Sequence, residues 1–186
     1  MEKKNRPVDF AARVARFTER MSPFISAEIT DYLSEHGFFT APASTIYHGS
    51  YEGGLFDHSY EVAQTLWELT KANGLMWQRA ESPLIVGMFH DLCKMDAFIE
   101  EPAQGAGARS YGYNEETLLK GHGEKSVMRL ACLMQLTEEE VACIRYHMGA
   151  FTDAAEWKDY TRAVHVYPNV LWTHHADMIA CHVKGI

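Results

Sequence analysis

The sequence has no apolar run approaching the ~18 residues that a membrane-spanning helix needs, so no membrane insertion is expected. It is short of cysteine. Cys93, Cys132, Cys143 and Cys181 are widely spaced and form no C-x-x-C pair. That spacing argues against a disulfide framework or a thiolate zinc site, and favours small buried thiols in a reducing cytoplasm. Positive charge is also scarce. Lys and Arg number 17 against 25 Asp and Glu, a formal net charge of −8. This argues against a dedicated binder of extended nucleic acid, which would carry a basic surface. It leaves room for a local basic pocket around one phosphate. No Gly-rich phosphate loop and no Ser or Cys nucleophile paired with a His stand out, which disfavours P-loop and covalent chemistry. The charged start, Met1 to Pro7, has no apolar stretch behind it, so no signal peptide is expected.

What remains is ordinary in bulk and distinctive in detail. At 186 residues, with 47% apolar and 23% charged residues, the chain suits one domain with a substantial core. Its periodicity is helical. Phe10, Val14, Phe17 and Met21 recur at helical spacing. Ser22-Pro23 reads as the end of that helix and the start of the next, whose apolar face is Ile25, Ile29, Tyr32 and Leu33 and which Gly37 ends. Residues 38–57 read as a loop in which Gly53-Gly54 permits a tight turn just before His58. A helix over about 56–73 turns His58 inward with Val62, Leu66 and Leu69. Ser82-Pro83 opens a helix that runs to His90-Asp91. The 96–119 stretch, with Pro102, Gly105, Gly107 and Gly112, breaks the helical period and reads as a loop with a short β-hairpin around Tyr111 and Tyr113. Helix resumes near 120–134. Thr137-Glu138-Glu139-Glu140 carries a capping-box signature for a helix running to His147. A short amphipathic piece follows near 155–165. The last helix, from about Pro168 to Val183, places Val170, His174, Asp177 and Cys181 on one face.

The informative residues are His90-Asp91, at the end of an apolar run, and four further candidate ligands at helix-sized intervals: His58, His122, His147 and Asp177. Neutral imidazoles with a few carboxylates suit divalent transition metals. Asp91 and Asp177 both fall on inward faces, and a buried carboxylate needs a cation. A metal shared between them satisfies both. His58, His90, Asp91 and Asp177 would hold one ion. His122 and His147 would supply a second, with Asp91 as the bridge. Lys94, one turn after the pair, could bring positive charge to a substrate anion. His174 shares a face with Asp177 and reads as a supporting or core residue, and Glu124 as a partner for His122 or a helix-start charge.

The ordered set His58, His90-Asp91 and Asp177 resembles the H…HD…D pattern of the HD-domain superfamily of metal-dependent phosphohydrolases. Ala176-Asp177-Met178-Ile179 is similar to its AD-x-[IL] end. His90-Asp91-Leu92-Cys93-Lys94 is similar to HD-[IL]-G-K, with Cys for Gly. The runs Tyr47 to Leu55 and Gly121 to Ser126 resemble a bacterial and phage branch of HD-domain hydrolases. The resemblance covers residues 47–182, so the chain reads as a single HD domain, 1–186, with N-terminal helices over 1–37 and an HD core over 47–182. It implies an all-α helical bundle with a short β-hairpin in the 96–119 loop. His122 and His147 match the extra histidines of the two-metal branches. Many of those read His-His where this chain reads His147-Met148, and a thioether is a poor partner for a hard cation. The second ion is therefore expected to be the weaker one. The helical GYP segment of the HD-GYP branch is missing, which disfavours a cyclic dinucleotide.

The expected activity is hydrolysis of a phosphate ester in a nucleotide or similar small metabolite. One or two divalent ions (Mn, Fe, Zn, Ni, Co or Mg) would activate the water, Asp91 would orient it, and Lys94 would offset phosphate charge. The alternatives are a di-iron oxygenase with the same ligand set, or a non-catalytic domain that binds metal or nucleotide. The expected partner is a small phosphate substrate, with neither extended nucleic acid nor membrane. The oligomeric state is open.

Overall fold

A computed structural model describes residues 10–101 and 110–186. The charged start and the Pro102, Gly105 and Gly107 part of the expected loop lie outside the described residues. Among the described residues the fold is all-α with one small hairpin. Eight α-helices follow in order: α1 (Phe10–Met21), α2 (Ala27–Glu35), α3 (Gly54–Asn73), α4 (Ser82–Phe89), α5 (Gly123–Ala131), α6 (Glu138–Arg145), α7 (Trp157–Val166) and α8 (Asn169–Met178). Two strands, β1 (Phe98–Glu101) and β2 (Ser110–Tyr113), pair antiparallel with Phe98 opposite Tyr113 and Glu101 opposite Ser110. No described helix is long and apolar enough to cross a membrane.

The described residues form two compact units, 10–58 with 94–101 and 110–117, and 59–93 with 118–186. In the first unit the core is aromatic. Phe17 of α1 meets Phe38, Phe39 and Phe56, all fully buried, with ring centroids 5.4–6.5 Å apart and steeply inclined planes. Edge-to-face pairs of this kind add to the area term. The buried face of α1 is Arg13, Phe17 and Met21, one turn apart; Phe10 is exposed. Arg13 is held inside by Asp57, at 3.0 Å. The second helix starts later than Ser22-Pro23 implies. Its N-cap is Ser26, in extended backbone, and Pro23 sits in the turn before it. Gly37, at φ +90, ends it. Gly53 has φ +82, and a Cβ on Gly54 would lie 2.0 Å from the Gly49 carbonyl oxygen. The tight turn before His58 therefore requires both glycines.

In the second unit α4 is buried on every side, from Ser82 to Phe89. An all-round apolar helix belongs at the centre of its core. Gly87 lets it approach closely, since a Cβ there would lie 2.4 Å from the Ala63 Cα. The start of α6 is fastened by two buried carboxylates. Glu139 accepts from the Gln78 backbone N–H at 2.7 Å and from Asn169 Nδ2 at 2.8 Å. Glu140 accepts from Ser82 Oγ at 2.8 Å, from the Arg79 guanidinium, and from the Thr137 backbone N–H at 2.9 Å. The capping box expected at Thr137 is present. The last helix is in two parts, with α8 continuing as a π-helical segment, Ile179–Lys184.

Candidate metal centre

Within the second unit, four elements bring ionisable side chains to one point. Buried α4 ends at His90, its C-cap, and Asp91 follows at once. His122 is the N-cap residue of α5. His147 lies just beyond α6, and Asp177 lies near the end of α8. Asp91 stands at the middle. Its Oδ1 is 3.0 Å from His122 Nε2 and 3.5 Å from His147 Nε2. Its Oδ2 is 3.4 Å from His90 Nε2. Asp177 Oδ1 is 4.0 Å from that same His90 nitrogen. The side chains of His90, Asp91 and His147 are at most 3% exposed, whereas that of His122 is 37% exposed. The cluster is closed below and open at His122.

The ring orientations have local causes. His90 Nδ1 donates to the Gly87 carbonyl at 2.8 Å, and His147 Nδ1 donates to the Ile144 carbonyl at 2.7 Å. A carbonyl only accepts, so each Nδ1 carries a proton and each Nε2 is turned toward Asp91. The His147 carbonyl is held in turn by His174 Nδ1 at 2.9 Å. Gly149 lies against that ring: at φ +56, its Cβ would fall 2.5 Å from His174.

Protons are shared unequally around the carboxylate. Burial pulls the His90 pKa down, but Asp91 and Asp177 outweigh it and the net shift is upward. Burial also acts on His122, yet Cys93 and Asp91 carry its pKa up to about 10. For His147 burial prevails, helped by the neighbouring imidazoles, and its pKa falls. The cluster thus attracts positive charge while keeping a neutral imidazole available. Its imidazoles and carboxylates suit a divalent ion of intermediate softness and could hold one.

The structure brings together His90, Asp91, His122, His147 and Asp177. His58 is fully buried on α3 in the first unit, its ring centroid 5.0 Å from that of His48. Lys94 also belongs to the first unit, half-buried in a 3-10 turn, Leu92–Met95. Glu124 accepts from the His122 backbone N–H at 3.3 Å and pairs with Arg145. Arg145 also pairs with Glu156 at 3.0 Å, so its charge is committed locally. Phe151 is exposed. Cys93 and Cys143 are buried thiols as expected, but Cys132 is exposed. Sequence reading assigns no role to the carbonyls of Gly87 and Ile144, which no side-chain pattern can signal. It also assigns none to Cys93, whose signal is its place two residues after Asp91.

Comparison with protein-family models, with curated proteins and with solved structures found no match.

Proposed function

We propose that the chain is a metal-dependent phosphohydrolase of the HD type, acting on a phosphate ester of a nucleotide or a similar small metabolite. The observation that carries this reading is the divided carboxylate of Asp91, with Oδ1 facing His122 and His147 and Oδ2 facing His90. One oxygen for each side is what a bridging carboxylate needs. His90, Asp91 and Asp177 would then hold one ion, with His58 added by the resemblance, and His122, His147 and Asp91 the other. Divalent ions bound there would lower the pKa of water toward neutrality and polarise the phosphoryl oxygen. Asp91, fixed among three imidazoles, would orient that water. His122, on the open side, would meet the substrate first. Lys94, three residues after Asp91 in the chain, would offset charge on the phosphate.

The test is elemental analysis of protein purified without chelator, followed by phosphomonoester and phosphodiester panels with Mn, Mg, Co, Ni and Fe. Asp91→Ala should abolish both metal uptake and turnover. Lys94→Ala should keep the metal and lower kcat/KM by about tenfold or more, the loss of one charge-assisted contact of about 1.5–3 kcal/mol. Turnover that survives chelation and Asp91→Ala would refute the reading. Oxygen uptake by a coloured iron-loaded protein, with no phosphate release, would favour the oxygenase.

A further inference from the structure

The three imidazoles around Asp91 are oriented by one device, and His122 is the exception within it. His90 and His147 are each anchored at Nδ1 by a backbone carbonyl three residues earlier in the chain. His122 has no such carbonyl at its Nδ1. That nitrogen lies 3.2 Å from the sulfur of Cys93, while its Nε2 lies 3.0 Å from Asp91 Oδ1. Cys93 is itself fixed. It is only 3% exposed, and its backbone N–H donates to Ser126 Oγ at 3.0 Å. Ser126 is one turn into α5, and its own N–H donates to the His122 carbonyl at 3.1 Å. The thiol and the imidazole are therefore tied together through backbone as well as side chain.

We propose that Cys93 is the positioning residue for His122: its sulfur accepts the Nδ1 proton and turns Nε2 toward Asp91, so that the outer ion position, the one of His122, His147 and Asp91 as against the inner one of His90, Asp91 and Asp177, depends on this thiol. The assignment rests on the metal reading above. The partner of a ligating imidazole fixes its tautomer and ring angle, and losing such a partner typically costs about 10–100-fold in metal affinity. Cys93 does this for His122 as Gly87 and Ile144 do for the other two rings. Cys93, Asp91 and His122 also lie close enough together to share an ion, but the ring orientation assigns the sulfur to the imidazole and not to the metal. The sulfur sits against Nδ1 and 4.0 Å from Asp91 Oδ1, whereas Nε2 faces that oxygen. One imidazole cannot offer the same ion to both sides. A glycine at this position, as in the HD-[IL]-G-K pattern the segment resembles, would supply no such anchor.

The experiment titrates zinc and manganese into full-length wild type, Cys93→Ala, Cys93→Ser and His122→Ala, with circular dichroism as the check on folding. Stoichiometry and affinity are read by elemental analysis and calorimetry, and zinc K-edge absorption is read for a sulfur shell. The expected result is that Cys93→Ala weakens the outer ion about tenfold or more while sparing the inner one. Cys93→Ser should recover part of the affinity, because its hydroxyl can still accept. No sulfur shell should appear in the wild type. A Zn–S distance near ~2.3 Å that disappears in Cys93→Ala would overturn the proposal and make Cys93 a ligand. Wild-type affinity for both ions in Cys93→Ala would overturn it and leave the metal reading intact. No uptake by any of the four proteins would overturn both.

Discussion

Replacing Asp91 with Asn preserves shape and removes the one charge that faces three imidazoles. Without metal the change should be small. The contact from His122 Nε2 to Asp91 Oδ1, at 3.0 Å, is charge-assisted, and His122 is 37% exposed. Such a bond contributes about 1.5–3 kcal/mol when buried, and a neutral one about 0.5–1.5 kcal/mol. With allowance for solvent, the difference is about 1 kcal/mol, or about 2–4 °C in Tm for a chain of this length. With metal the gap should widen. An ion present at a hundred times its Kd stabilises the native state by about 2.7 kcal/mol, which is about 5–11 °C. Asp91→Asn lacks the bridging charge and should gain none of this. Thermal melts with and without Mn should therefore show wild type rising by about 5–11 °C and the variant unmoved, a separation of about 7–15 °C in metal. If Asp91→Asn shows the same metal-dependent rise as wild type, Asp91 is not at the centre of the site.

Gly123→Ala should disturb the centre through the backbone. A Cβ at Gly123 would lie 2.1 Å from the Arg145 carbonyl oxygen, so α5 and α6 must part. A loss of about 1–3 kcal/mol in urea unfolding is expected, with weaker uptake of the ion proposed at His122. Metal uptake should also depend on pH. The metal-free His122 has a pKa raised to about 10, so binding there releases a proton and strengthens as pH rises toward 10. The same shift works oppositely on the metal-free fold. Its stabilising share is complete below the unfolded pKa of about 6.5 and is lost as pH rises through the folded value. Calorimetry in two buffers of different ionisation enthalpy would detect the proton; equal heats would refute it. Among thiols, exposed Cys132 should react at once with a thiol reagent. Buried Cys143, whose pKa is pushed up by desolvation, should wait for unfolding.

Much of this was legible in the sequence, for identifiable reasons. Helical periodicity located every long helix because each has a core face to bury. The hairpin could be read from Tyr111 and Tyr113 alternating around Gly112. Thr137 and Glu140 announced the start of α6 because a capping box is a local device, written within four residues. His90, Asp91, His122 and His147 sit at or just beyond helix ends, and only Asp177 lies within a helix, so helical spacing marked them as candidates without fixing where they meet. Local rules failed where a partner far along the chain decides the outcome. Pro23 reads as a helix start, but the helix waits for Ser26. Arg13 is buried on α1 because Asp57, 44 residues away, receives it. Cys93 reads as a packing residue because its imidazole partner lies 29 positions further on. The π-helical turn after Met178 has no signature that hydrophobic spacing could reveal.

The clasp at the start of α6 bears on how this protein could diversify. Glu140 is fully buried and receives four hydrogen bonds, from Ser82, Thr137 and two nitrogens of Arg79. Any replacement strands several donors at once, so that end of the helix is closed to change. The other end is about 12 Å away, eight residues at a rise of about 1.5 Å each. There His147 follows the last turn, and the clasp makes no demand on what stands beside it. Mutational tolerance is therefore graded along a single helix. At that end the tight contacts are with α5 and α8 instead, where Gly123 meets the Arg145 carbonyl and His174 holds the His147 carbonyl, so Met148 is the position left open to exchange.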